Sequence, residues 1–314
     1  MSAAPLLEAV PNFSEGRDPT VVLAIVDAMR AAGADVLDWS ADADHHRCVV
    51  TLVGAPAVVE DAAVAGARVA VERIDLNRHK GVHPRVGALD VLPLVPVAGA
   101  TMADARASAR RVGQRLSQEL GIPVYFYGAA SEPPGRPLSA LRKGGFETLL
   151  AGWPTDRPAD VVPEGWPHTG AHPTAGVTCV GARPVLLAWN VFVTGIDLEA
   201  ARRIARTLRE TSGGFLGVRA LALRLPNAGR LQISMNLENV DVTPPMDVFR
   251  RIETLLHEQG GAVEETEIIG MLPDQLLWGA AADRLKLVPE TAERLLSRGL
   301  LDVLTREGRI SQDA

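Results

Sequence analysis

The sequence predicts an α+β sandwich of two tandem subdomains, with mixed or antiparallel sheets and helices on one face. The chain has 314 residues, which is long for a single hydrophobic core. Predicted elements follow the order β-α-β-β-α-β in the first half, with an added α-β, and that order recurs in the second half. This order is typical of ferredoxin-like units. We therefore predict an N-terminal subdomain over residues 1–182 and a C-terminal subdomain over residues 183–314.

The first half contains clear start and stop signals. Asp18 is expected to cap a helix that has Pro19 at its first position, and Gly33 is expected to end that helix. A strand over 6–10 and a turn over 11–16 precede it. The elements predicted after it are strands 35–39 and 47–54, a helix over 56–74, a strand over 88–97, a helix over 103–120 and a strand over 122–127.

The second half is predicted to repeat the pattern after an irregular stretch. Residues 152–176 show neither a helical nor a strand period, and loops of that length are usually functional or linkers. Since this stretch lies between two predicted domains, a ligand cleft is expected there. The elements predicted beyond it are a strand over 184–193, a helix over 197–211, a hairpin of 219–225 and 230–237 around the turn 226–229, a helix over 245–259, a strand over 263–269 and a helix from 273 to about 301.

Composition restricts the classes of partner. The net charge is −6 and there is no basic tail, so nucleic acid is not an expected partner. Cys48 and Cys179 lie in apolar runs and form no CxxC, which indicates buried small side chains in a reducing compartment. The N-terminus lacks the basic region of a signal peptide, and no apolar run approaches the roughly 20 residues of a membrane span. We therefore expect a soluble cytoplasmic protein.

The segment Arg78–Asp90 is the strongest local signal. It holds two histidines, three cations, two glycines and a proline within thirteen residues, and an apolar strand follows it. Gly81 and Gly87 weaken a helix, and Pro84 disfavours the helical conformation at the preceding residue. The segment is therefore predicted to be a shaped polar loop, which is where proteins commonly place chemistry. The alternative is a solvated basic turn.

Six of the seven histidines fall into three loops, which raises the question of a metal site. The spacing His-x3-His occurs in two of these loops, but it places two rings on one face only in a helix, and both pairs lie in Gly/Pro loops. Acid–base chemistry without a metal is favoured. His83 is the best candidate, because Pro84 restricts its backbone and nearby cations would keep its imidazole neutral. Alternatively, His83 packs against the strand as a structural residue.

Other residues suit a small anionic substrate. Asn12 and Ser14 precede a helix N-terminus, where free N–H groups attract carboxylates, although they could instead shape a turn. Arg47 and Arg85 stand at strand ends and could clamp a carboxylate, although single arginines are more often surface residues. The stretch 166–176 mixes apolar, small and hydrogen-bonding groups, which suits a flat heteroaromatic ligand with polar edges. The common nucleotide-binding and hydrolase motifs are absent from the sequence.

Taken together, these motifs resemble the formiminotransferase (glutamate formimidoyltransferase) family, the transferase part of formiminotransferase-cyclodeaminase. The resemblance covers about residues 6–285 and is most specific in the central loop. The matching segments are Val10–Gly16, Asp42–Arg47 with the strand that follows, Ile74–Asp90, Pro123–Gly128, His172–Gly176 and Gly181–Arg183.

The resemblance implies transfer of a formimidoyl group from N-formimidoyl-L-glutamate to N5 of tetrahydrofolate, giving 5-formimidoyltetrahydrofolate and L-glutamate. It implies that His83 is the catalytic residue, that tetrahydrofolate is a co-substrate and that no metal is needed. It also implies a homodimer formed through the N-terminal subdomain, a C-terminal subdomain that walls the folate cleft, and a separate cyclodeaminase in the pathway. The implied folate-binding residues are Pro167, His168, Thr169, Gly170, Ala171, His172, Pro173, Thr174, Ala175 and Gly176.

Two positions depart from the family pattern. Ser40 stands where family members often carry an acid, and His46 stands where they carry Asn. If that acid contacts the amidinium, Asp42 or Asp44 would have to replace it, so Asp44 joins Asn12, Ser14, Arg47 and Arg85 as a candidate substrate-binding residue. The alternatives are a metal-dependent formimidoylglutamate hydrolase that uses the three histidine loops, and a folate-binding protein without turnover.

Overall fold

The computed structural model describes residues 5–226, 229–240, 242–271, 276–277 and 279–281. The chain divides into two compact units between Pro184 and Val185, against a boundary expected after residue 182. Over the part of the chain described, none of the helices combines the length and the apolar character needed to cross a membrane. Each unit is an assembly of helices on a sheet, as the α+β prediction requires.

The first unit contains seven strands and five helices among its described residues. They are β1 (Leu7–Ala9), β2 (Asn12–Phe13), α1 (Pro19–Ala31), β3 (Asp35–Asp42), β4 (Arg47–Gly54), α2 (Pro56–Arg73), β5 (Leu89–Pro96), α3 (Met102–Leu120), β6 (Val124–Gly128), α4 (Leu138–Leu141), α5 (Gly145–Ala151) and β7 (Thr178–Ala182).

Strands β1 and β2 occupy a single position in the sheet, between β4 and β5, as two pieces of one interrupted strand. Leu7 pairs with Gly54 on one side and Pro96 on the other, and Asn12 pairs with Val49 and Val91. Strand β3 pairs with β4 at the edge. This antiparallel part has the predicted β-α-β-β-α-β order, and the parallel strands β7 and β6 extend it beyond β5.

The three long helices pack on one face of this sheet, as predicted. Buried side chains of α1, α2 and α3 form one core with the strands. The opposite face, at β5, β6 and β7, has its own smaller core, which includes Tyr125, Cys179, Leu141 of α4 and Leu149 of α5. Helices α4 and α5 and this second layer were not predicted from the sequence. Because β5 is covered on both faces, it has the continuous burial expected of an interior strand.

Two further expectations for this unit need correction. Residues 11–16 are not only a turn, since Asn12 and Phe13 pair with β4 and β5. Strand β7 was not predicted at all, because it is five residues long, buried on both faces and without the alternation that marks a half-exposed strand. Residues 152–176 contain no helix or strand, as predicted. Cys48 and Cys179 are free and buried, and burial raises the pKa of each thiol to about 12.

The second unit confirms the repeated order. Its elements are β8 (Leu187–Thr194), α6 (Leu198–Leu208), β9 (Val218–Arg224), β10 (Leu231–Leu237), α7 (Pro245–His257) and β11 (Ala262–Ile269). The strands lie in the order β11-β8-β10-β9, and every neighbouring pair is antiparallel. Residues 227–228 of the predicted turn, and all but a few residues of the helix predicted from 273 onward, lie outside the described residues.

The start of α1 tests the capping argument. The Asp18 side chain accepts a hydrogen bond from the Thr20 N–H at 2.9 Å, and Pro19 is the first helical residue, as predicted. We expect Asp18→Ala to lower the free energy of unfolding, because the Thr20 N–H loses its acceptor. Urea unfolding followed by circular dichroism measures the change. Asp27→Ala, on the exposed face of the same helix, serves as control and should shift the value by less than about 0.5 kcal/mol; equal losses would contradict the capping role.

Candidate active site

The loop that precedes β5, residues 74–88 (the histidine loop), interlocks with the connection between β3 and β4. Residues 74–88 contain no helix or strand; the polar loop was predicted over Arg78–Asp90, and its last two residues belong to β5. The Val82 N–H donates to the Asp44 carbonyl at 3.1 Å, and Nε2 of His79 donates to the His46 carbonyl at 2.7 Å. A Cβ atom at Gly81 would lie only 2.3 Å from the His45 carbonyl oxygen. Glycine is therefore required for this close approach of the two loops.

The same loop also lies along the segment that ends the long irregular stretch. The Leu76 N–H donates to the Thr174 carbonyl at 2.9 Å, and the Ala88 N–H donates to the Ala175 carbonyl at 2.8 Å. The Asn77 amide donates to the Pro173 carbonyl at 2.9 Å. The structure therefore brings the histidine loop and residues 173–175 of the predicted folate-binding stretch together within the first unit.

The carboxylate of Asp90 is the charged centre of this cluster. It is 0 % exposed and accepts the Val86 N–H at 2.8 Å and the Gly87 N–H at 3.2 Å. Arg47 donates to it at 2.8 Å, and Arg142 also donates to it. Burial by itself raises the pKa of this carboxyl group, but the two arginines and the hydrogen bonds outweigh burial and lower the pKa to about 2.

Two guanidinium groups therefore share one carboxylate, which leaves one positive charge uncompensated within this triad. Arg47 also donates from Nε to the Asn12 side-chain oxygen at 2.9 Å, so Asn12 orients it. Both arginine side chains are largely buried, at 11 % and 14 % exposure for Arg47 and Arg142. A partly buried excess cation of this kind suits a carboxylate ligand.

His83 is held in one tautomer. Its Nδ1 lies 2.8 Å from the Pro84 carbonyl oxygen, and because a carbonyl only accepts, Nδ1 must carry the proton. In the neutral ring Nε2 is then the basic nitrogen. Burial, followed by the charges of Arg47 and Arg142, holds the pKa of His83 well below its ordinary value. The neutral, basic form therefore predominates at neutral pH.

His79 and His46 form a stacked pair that supports the loops. Their ring centroids are 4.1 Å apart and the rings are nearly parallel. His79 is buried, and burial lowers its pKa to about 4, so it stays neutral. His46 Nε2 lies 3.2 Å from a Glu15 carboxylate oxygen. These two rings therefore serve as packing and hydrogen-bonding groups.

Three predicted substrate-binding residues make mainly structural contacts. The Ser14 hydroxyl is buried and donates to the Gly87 carbonyl at 2.7 Å. Asp44 is buried, and its backbone carbonyl accepts the Val82 N–H. Arg85 donates to Glu147 at 2.8 Å and to the Leu76 carbonyl at 3.1 Å, so its guanidinium is largely committed to the protein. Each of these contacts positions the histidine loop.

The predicted folate-binding stretch, residues 167–176, is partly exposed. Pro167, His168, Thr169 and Pro173 are exposed, whereas Gly170, Ala171, Ala175 and Gly176 are buried and His172 and Thr174 are intermediate. His172 Nδ1 accepts the Ala175 N–H at 3.0 Å, which leaves its proton on Nε2, and burial lowers its pKa. The Trp166 ring lies 4.9 Å from the His168 ring and 6.2 Å from the His172 ring, measured between centroids. An aromatic surface with hydrogen-bonding edges results.

Metal-ligand geometry was a separate question raised by the histidine clusters. Within the described part of the chain, no group of three or more His, Cys, Asp or Glu side chains is arranged to hold a metal ion. His45 and His83 approach each other, with ring centroids 6.1 Å apart, and these two rings, like those of His46 and His79, each bond a backbone or carboxylate partner.

The positions of Arg142 and Glu147 in this cluster were not predicted from the sequence. Arg142 follows the short helix α4 and precedes Lys143 and two glycines, a mixture of cations and glycines like that of the predicted histidine loop. That resemblance in composition is a signal that could have found it. Nothing in the sequence indicates that Glu147, 62 residues away, pairs with Arg85.

The fold and the site define a class: a two-unit α+β protein whose first unit carries a loop site rich in histidine and arginine. Comparisons with known proteins agree with this description. Residues 6–183 match the family model described as formiminotransferase domain, N-terminal subdomain, and residues 188–286 match that of the formiminotransferase domain. The chain belongs to the formiminotransferase family, as the sequence motifs indicated.

Individual relatives are similar over most of the chain. The glutamate formimidoyltransferase of Streptococcus pyogenes serotype M1 is 36 % identical over 87 % of this chain and 91 % of the relative. The glutamate formimidoyltransferase of Thermoplasma acidophilum is 38 % identical over 90 % of this chain and 93 % of the relative. The formimidoyltransferase-cyclodeaminase of Mus musculus is 38 % identical over 88 % of this chain, but only 52 % of the relative is covered.

The charged centre gives a stability prediction. We expect Asp90→Asn to lower the free energy of unfolding by about 3–5 kcal/mol, because it leaves two largely buried arginines without their counter-charge. Equilibrium urea unfolding of both proteins measures the loss. Asp61→Asn removes the partner of Arg115 in an exposed pair and should cost less than about 1 kcal/mol. If the two substitutions cost the same, Asp90 does not hold the cluster together.

Proposed function

We propose that this protein transfers the formimidoyl group from N-formimidoyl-L-glutamate to N5 of tetrahydrofolate, with His83 as general acid/base. The observation that carries this proposal is a neutral imidazole with Nε2 as its basic nitrogen, in a loop cluster that also holds an excess arginine charge. The choice of this particular reaction is supported by membership of the formiminotransferase family and by the names of the relatives.

The chemistry needs one proton to move between two nitrogens. N5 of the folate attacks the amidinium carbon and a tetrahedral adduct forms. The N5 proton leaves to a base, the bond from carbon to the glutamate nitrogen breaks, and that nitrogen gains a proton. A single imidazole could accept the first proton and return it to the departing nitrogen. Such general acid–base catalysis raises the reaction rate roughly 10²–10⁴-fold. Holding both substrates together supplies further acceleration as effective molarity.

The substrate-binding roles follow from the contacts. Arg47 and Arg142 are proposed to bind a carboxylate of the donor, with Asn12 orienting Arg47. Ser14, Asp44 and Arg85 are proposed to act through the loops that they hold. Tetrahydrofolate, as co-substrate, is proposed to contact residues 167–176, where Trp166, His168 and His172 offer ring faces and polar edges. A homodimer is proposed on the family resemblance.

The transfer assay tests this proposal directly. We expect wild-type protein to form 5-formimidoyltetrahydrofolate from formimidoylglutamate and tetrahydrofolate, followed by absorbance, with or without a chelator. His83→Ala should lower kcat by at least about 10²-fold, because the proton carrier is lost. His257 is an exposed histidine at the end of α7. His257→Ala is therefore the matched control and should retain full activity.

Each alternative has its own outcome in the same assay. Full activity of His83→Ala would rule out its catalytic role. Release of ammonia or formamide without tetrahydrofolate, abolished by the chelator, would indicate a metal-dependent hydrolase. Tetrahydrofolate binding without transfer, even at high enzyme concentration, would indicate a folate-binding protein.

The pH dependence gives a second test of His83. A base acts only when deprotonated, so activity is lost as pH falls through its pKa. Because that pKa lies below the ordinary 6.5, we expect the acid limb of kcat/KM to fall below pH 6.5. Arg142→Met removes one of the two depressing charges and should move this limb upward. A limb at or above pH 6.5 in the wild type would contradict the neutral-base assignment.

A further inference from the structure

A second imidazole in the cluster, that of His45, has a role that the proposed mechanism leaves open. His45 lies in the connection between β3 and β4, and its backbone carbonyl is the group that Gly81 approaches most closely. Its side chain is only 13 % exposed, so it is a fixed group and not a mobile surface residue. Its ring centroid lies 6.1 Å from that of His83, with a tilt of 55° between the rings.

Asp42 holds His45 through two hydrogen bonds to one carboxylate oxygen. Oδ1 of Asp42 accepts the His45 backbone N–H at 2.6 Å and lies 2.9 Å from Nδ1 of the ring. An ionised carboxylate only accepts, so Nδ1 carries a proton and Nε2 is directed away from Asp42. The hydrogen bond from the His45 side chain lowers the pKa of Asp42, so its carboxylate is ionised at neutral pH.

The two neighbouring imidazoles therefore have opposite electrostatic surroundings. His83 has a neutral carbonyl on Nδ1 and the charges of Arg47 and Arg142 nearby, which disfavour a proton on Nε2. The His45 ring instead has the Asp42 carboxylate on Nδ1, at 2.9 Å. The two rings therefore differ in the group that orients them, a backbone carbonyl for His83 and a carboxylate for His45.

The separation of the two rings also suits a tetrahedral adduct, in which the attacking and the departing nitrogen are bonded to the same carbon. Each hydrogen bond from an imidazole to a reacting nitrogen spans about 3 Å. Two rings with centroids 6.1 Å apart can therefore reach the attacking and the departing nitrogen of a single tetrahedral adduct.

We propose that His45 is the general acid that delivers a proton to the departing nitrogen of the donor, with Asp42 as its positioning residue. The inference rests on the proposed function and divides its proton transfer between two rings. His83 accepts the N5 proton as the new bond from N5 to carbon forms. Protonated His45 gives its Nε2 proton to the donor nitrogen as the bond from carbon to that nitrogen breaks. Exchange of one proton with water at each ring restores the starting state.

The competing explanation is that Asp42 and His45 only stabilise a turn. A stabilising role would reduce activity regardless of the donor, whereas a general acid matters less as the departing nitrogen becomes a better leaving group. The experiment therefore compares two donors, N-formimidoyl-L-glutamate and N-formimidoyl-4-aminobenzoate. The second retains a carboxylate and releases a weakly basic arylamine, which needs less protonation.

We expect His45→Gln to lower kcat with the glutamate donor by about 10²-fold and with the arylamine donor by less than about 10-fold. The KM of the glutamate donor should stay within about threefold, because binding is not the lost interaction. Asp42→Asn keeps the ring and should give a smaller loss with the same donor dependence. His257→Gln is the control and should leave both rates unchanged. Melting curves establish that each variant is folded.

The outcomes separate this inference from the proposed function. If wild-type protein performs no transfer, the proposed function fails and the role of His45 fails with it. If wild type is active and His83→Ala is not, but His45→Gln keeps its full kcat, only the role of His45 is overturned. Equal losses with both donors, in His45→Gln or in Asp42→Asn, would also overturn it, because they indicate a stabilising turn. If His45→Gln does not fold, the donor comparison on Asp42→Asn decides.

Discussion

One buried carboxylate, that of Asp90, holds the site together. Removing a carboxylate from water is costly unless charged and hydrogen-bonded partners replace the water. Here the partners come from β4 through Arg47, from the residue after α4 through Arg142, and from the histidine loop through two backbone N–H groups. Losing any one partner would leave part of this desolvation cost uncompensated. The chain segments that supply the partners are therefore constrained to one arrangement.

The sheet register explains why these partners meet. Phe13 pairs with Cys48 on one side and with Leu89 on the other. The last residue of β2 and the first residues of β4 and β5 therefore lie at the same end of these three neighbouring strands. Asn12, Arg47 and Asp90 are each next to one of those paired residues. The contact from Asn12 to Arg47 and the ion pair from Arg47 to Asp90 therefore follow from antiparallel pairing. Pro11, which cannot donate to a ladder, lies at the interruption that separates β1 from β2.

Much of this arrangement could be predicted from sequence, and the remainder could not, for a physical reason. The polar loop, the helix cap at Asp18 and the order of both units depend on local signals, namely Gly and Pro positions, capping residues and hydrophobic periods. Arg142 binds a residue 52 positions earlier, and Glu147 binds one 62 positions earlier. Such contacts depend on where short, irregular elements pack, and no local period encodes that. Strand β7 escaped detection for the related reason that a fully buried strand has no alternation.

The histidines show most clearly what composition can and cannot reveal. The clustering of histidines in the sequence suggested either a metal site or acid–base catalysis. It did not distinguish one histidine ring from another. His46 has a positive φ of 51°, a conformation in which Asn, Asp and His are enriched among non-glycine residues, and it stacks on a neutral His79. This is compatible with the Asn of the family pattern, since either residue suits the turn. His83 and His45 each have one nitrogen occupied, by a carbonyl in one case and a carboxylate in the other. His79 also bonds a carbonyl through one nitrogen, but it is buried and stacked on His46. Burial and stacking, together with the hydrogen-bond partners, therefore separate the supporting rings from the two that are proposed to move protons.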